Sequence, residues 1–144
     1  GVARARKATT ETVNNSTTQQ NDDDLLFSVA ANEVWLIFVW LRMTLRAASD
    51  FKVGWSVPAA ATMGWQSVGD SAGNTGTPVA VATAAQQVRL LVGGLVTDAG
   101  TMLSGTYVGG ANGGTVNLQW SQDVAAAEDT QVLAGSALLA IRVS

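Results

Sequence analysis

The chain has 144 residues, enough for one domain and too few for two of ordinary size. Apolar residues make up 47% of it and charged residues only 13%, against roughly a quarter in a usual soluble domain, so uncharged polar residues must form most of the surface. With no His, no Cys and a net charge of −3, the composition excludes disulfides, imidazole bases, thiolate nucleophiles and ordinary zinc sites, and it argues against a protein that binds nucleic acid over its whole surface.

Residues 1–23 are predicted to form an extended N-terminal arm that precedes a domain at residues 24–144. The arm contains only two large apolar side chains, Val2 and Val13, and its polar, β-branched sequence has no helical period. A segment of this kind cannot bury enough surface to fold alone. We therefore expect it to become ordered by lying on a partner or on its own body.

The tip of the arm is basic. Arg4, Arg6 and Lys7 lie within the first seven residues, whereas all eleven acidic residues come later. This asymmetry predicts either a tail that docks on an acidic surface or an ordinary solvated terminus. No apolar stretch follows the tip as in a secretory signal, and the longest apolar run, residues 34–41, falls short of the about 20 residues of a membrane helix, so no membrane partner is expected.

The strongest strand signal lies at residues 34–46. Every second side chain from Trp35 to Leu45 is apolar, as on a strand that faces a core. The alternate side chains are apolar only from Val34 to Trp40 and then become Arg or Thr. We expect the apolar half of this second face to be covered as well, by the arm, by a loop or by another subunit.

Shorter strands are predicted along the rest of the domain, at residues 25–30, 51–57, 79–83, 87–97, 101–108, 115–121 and 136–143. The segment 59–86 is rich in Ala, Gly, Ser and Thr and is expected to form a long crossing loop around the strand near 79–83. Asp98, Ala99 and Gly100 are predicted to form a tight hairpin turn. About seven or eight short strands with Gly-rich connections predict an all-β fold, a β-sandwich or jelly-roll-like domain.

No catalytic or metal-binding constellation is expected. The acidic run at residues 22–24 has oxygen ligands that suit Ca²⁺ but lacks the spaced pattern of a calcium loop, so a solvated junction is favoured. The later carboxylates fall in predicted turns, and Lys52, the one lysine of the domain, lies on the polar face of its strand. The Gly-rich residues 109–114 lack the Lys of a phosphate loop. We therefore predict no enzyme activity, no metal and no cofactor.

Five tryptophans form the main aromatic signal of the chain. Trp35, Trp55 and Trp120 share their strand face with apolar neighbours and are predicted to lie in the core. Trp40 and Trp65 fit that pattern less well, so together with Phe38 they are predicted to form a subunit interface, where tryptophan is enriched. A patch covered by the N-terminal arm is the alternative for the two tryptophans. Binding of carbohydrate by exposed tryptophans is the second interpretation.

The segment TETVNNSTTQQNDDDLLFSVAANEVWLIFVWL, residues 10–41, resembles a motif of structural proteins of tailed bacteriophages. In that motif a polar arm, T-x-N-N-S-T-T-x-Q-x-D-D-x-L, precedes a strand, an A-x-x-x-Y/W turn and a long apolar strand. Residues 50–62, 114–122 and 133–136 are similar to later segments of the same group, so the resemblance runs from about residue 10 to residue 143. The matching residues of the motif are Thr12, Asn14, Asn15, Ser16, Thr17, Thr18, Gln20, Asp22, Asp23, Leu25, Ala31 and Trp35.

The resemblance implies a small virion protein that is built as a jelly-roll-like sandwich and forms a homotrimer. The first expectation is a capsid decoration (cement) protein that binds the major capsid protein on the capsid surface and stabilises the head, because the chain is short and has no fibrous shaft. The alternative is a tail or fibre component that binds a host surface, with carbohydrate as one target. The residues expected to bind the capsid are Arg4, Arg6, Lys7, Thr12, Val13 and Thr17.

Overall fold

The computed structural model describes residues 1–68, 82–84, 86–90 and 94–144. Within these residues the chain forms strands and no helix, and the strands build two antiparallel sheets that pack against each other. The predicted all-β sandwich is therefore confirmed. In this part of the chain no helix has the length and apolar character needed to cross a membrane.

The described residues contain twelve strands, which we number in chain order. They are β1 (Val2–Arg6), β2 (Glu11–Val13), β3 (Gln20–Val29), β4 (Val34–Leu45), β5 (Phe51–Ser56), β6 (Thr62–Val68), β7 (Ala82–Thr83), β8 (Val88–Leu90), β9 (Val96–Val108), β10 (Gly114–Ser121), β11 (Thr130–Val132) and β12 (Ala137–Arg142).

The larger sheet is organised around the long strand β4. Its spatial order is β1-β12-β4-β9-β6-β7. Two further strands lie on the same side of β4 as β12, because β11 pairs with β4 and β2 pairs with β11. Along one side of β4, β12 pairs with the first half and β11 with the second half. Next to them, β1 pairs with β12 and β2 pairs with β11, so the N-terminal residues form the edge of the sheet.

The smaller sheet has the order β3-β10-β5-β8 and packs on the inner face of the larger one. Aromatic rings fill the space between the two sheets. Phe27 and Trp35 have ring centroids 5.2 Å apart, and Trp55 and Trp65 meet edge to face at 6.4 Å. Such pairs add about 0.5–1.5 kcal/mol to the effect of burial alone. Trp35, Trp55 and Trp120 lie in the core, as the strand alternation predicts.

Two predictions for the middle of the chain are wrong. The segment 59–86 is not only a loop, because β6 lies within it and pairs with β9. The hairpin turn at residues 98–100 does not form either, because β9 runs through these residues. Within it, Gly100 pairs with Arg42 of β4, and Ala99 pairs with Met43. Asp98 adopts a left-handed backbone with φ of 56°, and the register with β4 shifts there, so the turn-forming residue makes a bulge.

Other expected strands fall partly outside the described residues. The short strand near residues 79–83 is represented by β7, and its earlier part lies outside them. Of the strand expected at 87–97, the structure describes β8, and residues 91–93 lie outside the described part of the chain.

Candidate functional site

The second face of β4 carries large apolar side chains into solvent. Leu36, Phe38 and Trp40 are 37%, 39% and 47% exposed, whereas the alternate side chains from Trp35 onward are buried between the sheets. The strand is thus apolar on both faces, as the sequence predicts. In the described part of the molecule neither the N-terminal segment nor a loop covers this second face.

Neighbouring strands extend this apolar surface on both sides of β4. Phe38 lies opposite Leu139 and Leu36 opposite Ile141 on β12, while Trp40 lies opposite Met102 on β9. All of these side chains are exposed. Isolated exposed apolar residues are ordinary, but a contiguous patch marks an interaction surface. We call this surface the outer apolar face and define it as Leu36, Phe38, Trp40, Met102, Leu139 and Ile141.

Two grooves cross the outer apolar face, one on each side of Phe38. The larger has a volume of 470 Å³ and runs between β4 and β6, where Gly64 contributes no side chain to fill the space. Gln66, Ser104 and Thr106 contribute polar groups to its lining, which is otherwise mostly apolar. The smaller has a volume of 200 Å³, and Trp40 and Leu139 are among its lining residues. Phe38 therefore stands as a ridge between two depressions, a shape that can interlock with a partner.

Two arginines border the outer apolar face at the sheet edge. Arg4 lies opposite Leu139 and Arg6 opposite Ala137, and both side chains are exposed on the same side of the sheet. Neither forms an ion pair with any described residue. The basic tip and the doubly apolar strand, which the sequence analysis treats separately, thus belong to one surface.

Lys7 occupies a different environment from the two arginines. It is only 1% exposed, and its ammonium lies 2.5 Å from a Glu11 carboxylate oxygen and 2.9 Å from Asp22 Oδ2. Trp120 donates an indole hydrogen bond of 3.1 Å to the same Asp22 oxygen. Lys7 thus anchors the N-terminal segment to the interior of the sandwich through these ion pairs. Its ammonium is buried, so it is not available to bind an external partner.

The protonation of this cluster follows from its contacts. Burial lowers the pKa of Lys7, but the hydrogen bonds and charges of Glu11 and Asp22 outweigh burial, so the pKa of Lys7 is raised overall. Burial raises the pKa of Glu11, and the nearby charge of Asp22 adds to this effect, while the hydrogen bond from Lys7 opposes it.

The remaining residues of the predicted arm also lie on the body of the protein. Val13 is buried in the core. Thr12 is exposed and accepts a hydrogen bond from the Gln131 amide, and the Thr17 carbonyl accepts one from Lys52 Nζ. A separate arm is therefore not confirmed. The segment is ordered on its own body, which is one of the two alternatives that its composition allows.

Of the three residues predicted for a subunit interface, two lie on the outer apolar face. Phe38 and Trp40 are exposed there, whereas Trp65 is 1% exposed and donates its indole N–H to the Thr83 carbonyl over 2.9 Å. The alternation of β6 explains this difference, because Trp65 and Met63 lie on the same, inward-facing side of that strand. The sequence pattern did not predict a strand at these residues.

The acidic run at residues 22–24 is only partly solvated. Asp22 is buried by its contacts with Lys7 and Trp120, while Asp23 is exposed. The Lys7 ammonium supplies the positive charge at this position. Among the described residues, no group of three or more acidic side chains is arranged to hold a metal ion.

Sequence reasoning did not assign Met102, Leu139 and Ile141 to the functional surface. For the last two a signal was present, because Ala137, Leu139, Ile141 and Val143 form an apolar face on the final strand. The periodicity does not tell which of the two faces points outward. That becomes clear only when Leu138 and Ala140 are seen to fill the core.

Together these features define a β-sandwich protein with an exposed apolar sheet face that is bordered by arginines. No protein-family model matches the chain, and no curated protein matches it significantly.

Proposed function

We propose that the protein is a structural component of a bacteriophage virion, a capsid decoration protein that assembles as a homotrimer. It binds the major capsid protein on the capsid surface and stabilises the head. The outer apolar face carries this proposal, because a monomer in water gains nothing from such a face and an assembly does. The resemblance of residues 10–41 to virion proteins supplies the kind of assembly.

The energetics favour association through this face. Full burial of one large apolar side chain contributes about 1.5–3 kcal/mol, and the face offers several such side chains per copy. Loss of translational and rotational freedom costs about 4–15 kcal/mol for each association step. A contact that buries most of the face can therefore exceed this cost. In a closed ring of three copies, each copy makes two contacts.

The sheet edge is the part of the surface that suits the capsid. Of the six residues expected to bind it, Arg4 and Arg6 are exposed at this edge, and Thr12 and Thr17 are exposed elsewhere on the body. The other two, Lys7 and Val13, are buried. We accordingly propose that the N-terminal segment binds the capsid through Arg4 and Arg6 at the sheet edge, and not as a free arm.

The assembly is tested by the double variant Phe38→Glu/Trp40→Glu. Both side chains are exposed, so the fold is expected to persist, while two charges on the outer apolar face should prevent contact between copies. In sedimentation velocity the unmodified protein should sediment as a trimer and the variant as a monomer. Val124→Glu is the matched control, because Val124 is 53% exposed and lies outside the face. A monomeric unmodified protein, or a variant that remains trimeric, would contradict the proposed assembly.

The position in the virion is tested by cryo-electron microscopy and by immunogold labelling of particles. We expect labels on the head, at regular capsid positions. In addition, purified protein should bind to capsids that lack it, and the Phe38→Glu/Trp40→Glu variant should bind with lower occupancy, since three linked copies bind more tightly than one. Labels on the tail alone would contradict a role in capsid decoration.

A tail or fibre component that binds host carbohydrate is the second candidate. The observation that favours it is the larger groove, where the ring of Phe38 lies beside the polar groups of Gln66, Ser104 and Thr106. Sugars bind where an aromatic face and hydrogen-bonding groups adjoin. A glycan array on which the protein binds, and on which Phe38→Ala does not, together with tail labelling, would favour this function over decoration.

A further inference from the structure

We propose that the free edge of β1 is a docking site for an acidic, extended segment of a partner protein, which adds to the large sheet as a further strand. This inference deepens the proposed function, because it states what chemistry the virion partner must present. It rests on the proposed function only for the identity of the partner. The site itself follows from the backbone and charges of β1.

The backbone groups of β1 alternate between the sheet and the free edge. Lys7 N donates to the Ser136 carbonyl over 2.8 Å, and the Gly1 carbonyl accepts from Arg142 N over 2.9 Å. Because bonding alternates along an antiparallel strand, the odd-numbered residues face β12. The N–H and C=O groups of Val2, Arg4 and Arg6 therefore point away from β12, toward the free edge of the sheet. Among the described residues no strand pairs with this edge.

Two of the three side chains at these positions are basic and free of carboxylate partners. Arg4 and Arg6 are exposed and form no ion pair with the described residues. By contrast, Arg42, Arg89 and Arg142 each hold a carboxylate at 2.7–2.9 Å. Two of the three residues that offer backbone hydrogen bonds to an added strand thus also offer positive charge.

A second copy of this chain does not fit the edge. If two β1 strands paired antiparallel over their full length, Arg4 would lie opposite the same residue of the other copy, and Arg6 would lie opposite Val2. Like charges directly opposite each other destabilise a strand pair, whereas opposite charges stabilise it. The arginines therefore disfavour self-pairing at this edge and favour a strand with carboxylates at alternate positions.

The geometry specifies the pattern of the partner segment. Two acidic residues separated by one residue would lie beside Arg4 and Arg6, and an apolar residue two positions further on would lie beside Val2, which is 54% exposed. The intervening residues would face the side of Ala3 and Ala5, so small residues suit them. This is strand addition in which main-chain bonds supply affinity and alternate side chains supply specificity.

The alternative is that the arginines only prevent aggregation. Charged side chains on an edge strand commonly serve to block pairing with other chains. In that case the edge binds no strand of either charge. The two explanations therefore differ in a measurable outcome, namely whether an acidic peptide pairs with β1.

The test uses the full ¹⁵N-labelled protein and two capped peptides, TEAEAVT and TKAKAVT, at low ionic strength. We expect the acidic peptide to shift the backbone amide signals of Val2, Arg4 and Arg6, and to bind about tenfold more tightly than the basic peptide. Equal binding of both peptides, shifts confined to other parts of the protein, or no shifts at millimolar peptide would each overturn the proposal.

A charge-reversed variant sharpens this test. Arg4→Glu/Arg6→Glu should prefer the basic peptide, because the backbone edge is unchanged and only the sign of the charge differs. Arg89→Glu is the control, since Arg89 is a basic residue on β8, the edge strand of the smaller sheet, and its reversal should leave the peptide preference unchanged. An unaltered preference in the double variant would refute charge recognition at β1.

The outcome is independent of the assembly test. A monomeric protein that binds the acidic peptide at β1 would refute the proposed trimer and retain the docking site. A trimer that binds neither peptide would refute the docking site and retain the assembly.

Discussion

Lys7 shows how a single residue determines the fate of a whole segment. In the sequence it resembles its neighbours Arg4 and Arg6, and all three make the same basic tip. In the fold it is the one of the three that faces the interior, where the buried carboxylate of Asp22 and the partly buried carboxylate of Glu11 compensate its charge. Strand alternation explains the difference, since odd positions of this edge point inward and even positions point outward.

Replacement of Lys7 by Met should strongly destabilise the protein. The substitution leaves the carboxylates of Asp22 and Glu11 close together without their cation, and loss of one partner from a buried ion pair costs about 3–5 kcal/mol. Urea denaturation should show this decrease in the free energy of unfolding. The second variant Lys7→Met/Asp22→Asn should recover part of it, because the uncompensated charge is then removed. Equal stability of the two variants would contradict the ion-pair explanation.

Stability should also decrease at alkaline pH. The pKa of Lys7 is raised in the fold, so its contribution is complete below its usual value of 10.5 and is lost as the pH rises through the folded value. Burial and the nearby charge of Glu33 raise the pKa of Tyr107. Its hydroxyl therefore ionises at a lower pH in the unfolded chain than in the fold, so Tyr107 also lowers the stability of the fold above pH 10.0. Each group contributes at most about 1.4 kcal/mol per pH unit.

This pH dependence can be divided between the two groups. Urea midpoints measured from pH 9 to pH 11 should fall in the unmodified protein, and they should fall less steeply in Tyr107→Phe, which keeps the ring and removes the ionisable hydroxyl. Identical slopes for the two proteins would show that Tyr107 does not contribute.

At the scale of the strands, β1 and β2 differ in how much the fold depends on them. Only Ala3 and Ala5 of β1 pack partly against the core, whereas Lys7 and Val13, which follow β1 in the chain, are both buried. The edge strand β1 is thus attached mainly by its ladder with β12, while the next segment is also anchored by two buried side chains.

Deletion of residues 1–6 should therefore be tolerated, and deletion of residues 1–13 should not. The first variant loses ladder hydrogen bonds that contribute about 0.5–1.5 kcal/mol each. This loss of stability is partly offset, because the deleted residues no longer have to be ordered on folding. The second variant also loses Lys7 and Val13 and leaves Asp22 buried without its cation. Near-ultraviolet circular dichroism and thermal unfolding should show a cooperative transition for the first variant only.

Close packing between β6 and β9 makes Gly105 a sensitive position. A Cβ atom there would lie 2.7 Å from the Gly64 carbonyl oxygen and 2.7 Å from Trp65 Cβ, so the two strands would have to move apart. We expect Gly105→Ala to lower the free energy of unfolding by about 1–3 kcal/mol. Gly94→Ala is the control, because no atom of the other described residues lies within 4 Å of its Cβ position, and its thermal midpoint should be nearly unchanged.

The strands also show what the sequence could and could not predict. The alternation in β4 indicates both of its apolar faces, and the parity of Trp35, Trp55 and Trp120 places them in the core, because period-two patterning directly reflects burial. The strand β6 lies within residues 59–86, whose many Ala, Gly, Ser and Thr residues resemble a loop, and its strand character becomes evident only from its pairing with β9. Local propensity cannot report such a pairing.

The candidate site was predictable only in part for the same reason. Phe38 and Trp40 follow from the pattern of one strand. The neighbours that complete the surface, Leu139 and Met102, are brought beside them by register between strands that are distant in the sequence. Register depends on the tertiary fold, so no local pattern places Arg4 next to Leu139.

At the scale of the whole molecule, two kinds of surface meet at one sheet edge, and salt should separate them. Apolar burial is insensitive to screening, whereas exposed charge pairs weaken as the Debye length falls from about 10 Å at 0.1 M to about 3 Å at 1 M salt. We expect the trimer to persist in sedimentation experiments at about 1 M NaCl. Binding of the acidic peptide should be lost under the same conditions. Dissociation of the trimer by salt would contradict an interface made by the outer apolar face.

The pairing of the two ends of the sequence also constrains the order of folding. Residues 1–13 make their ladder contacts with residues 130–142, so during synthesis these contacts cannot form until the much later segment has been made. Contacts so distant in sequence close slowly. Until residues 130–142 are available, β1 and β2 have no strand to pair with, so we expect this edge of the larger sheet to form late in folding.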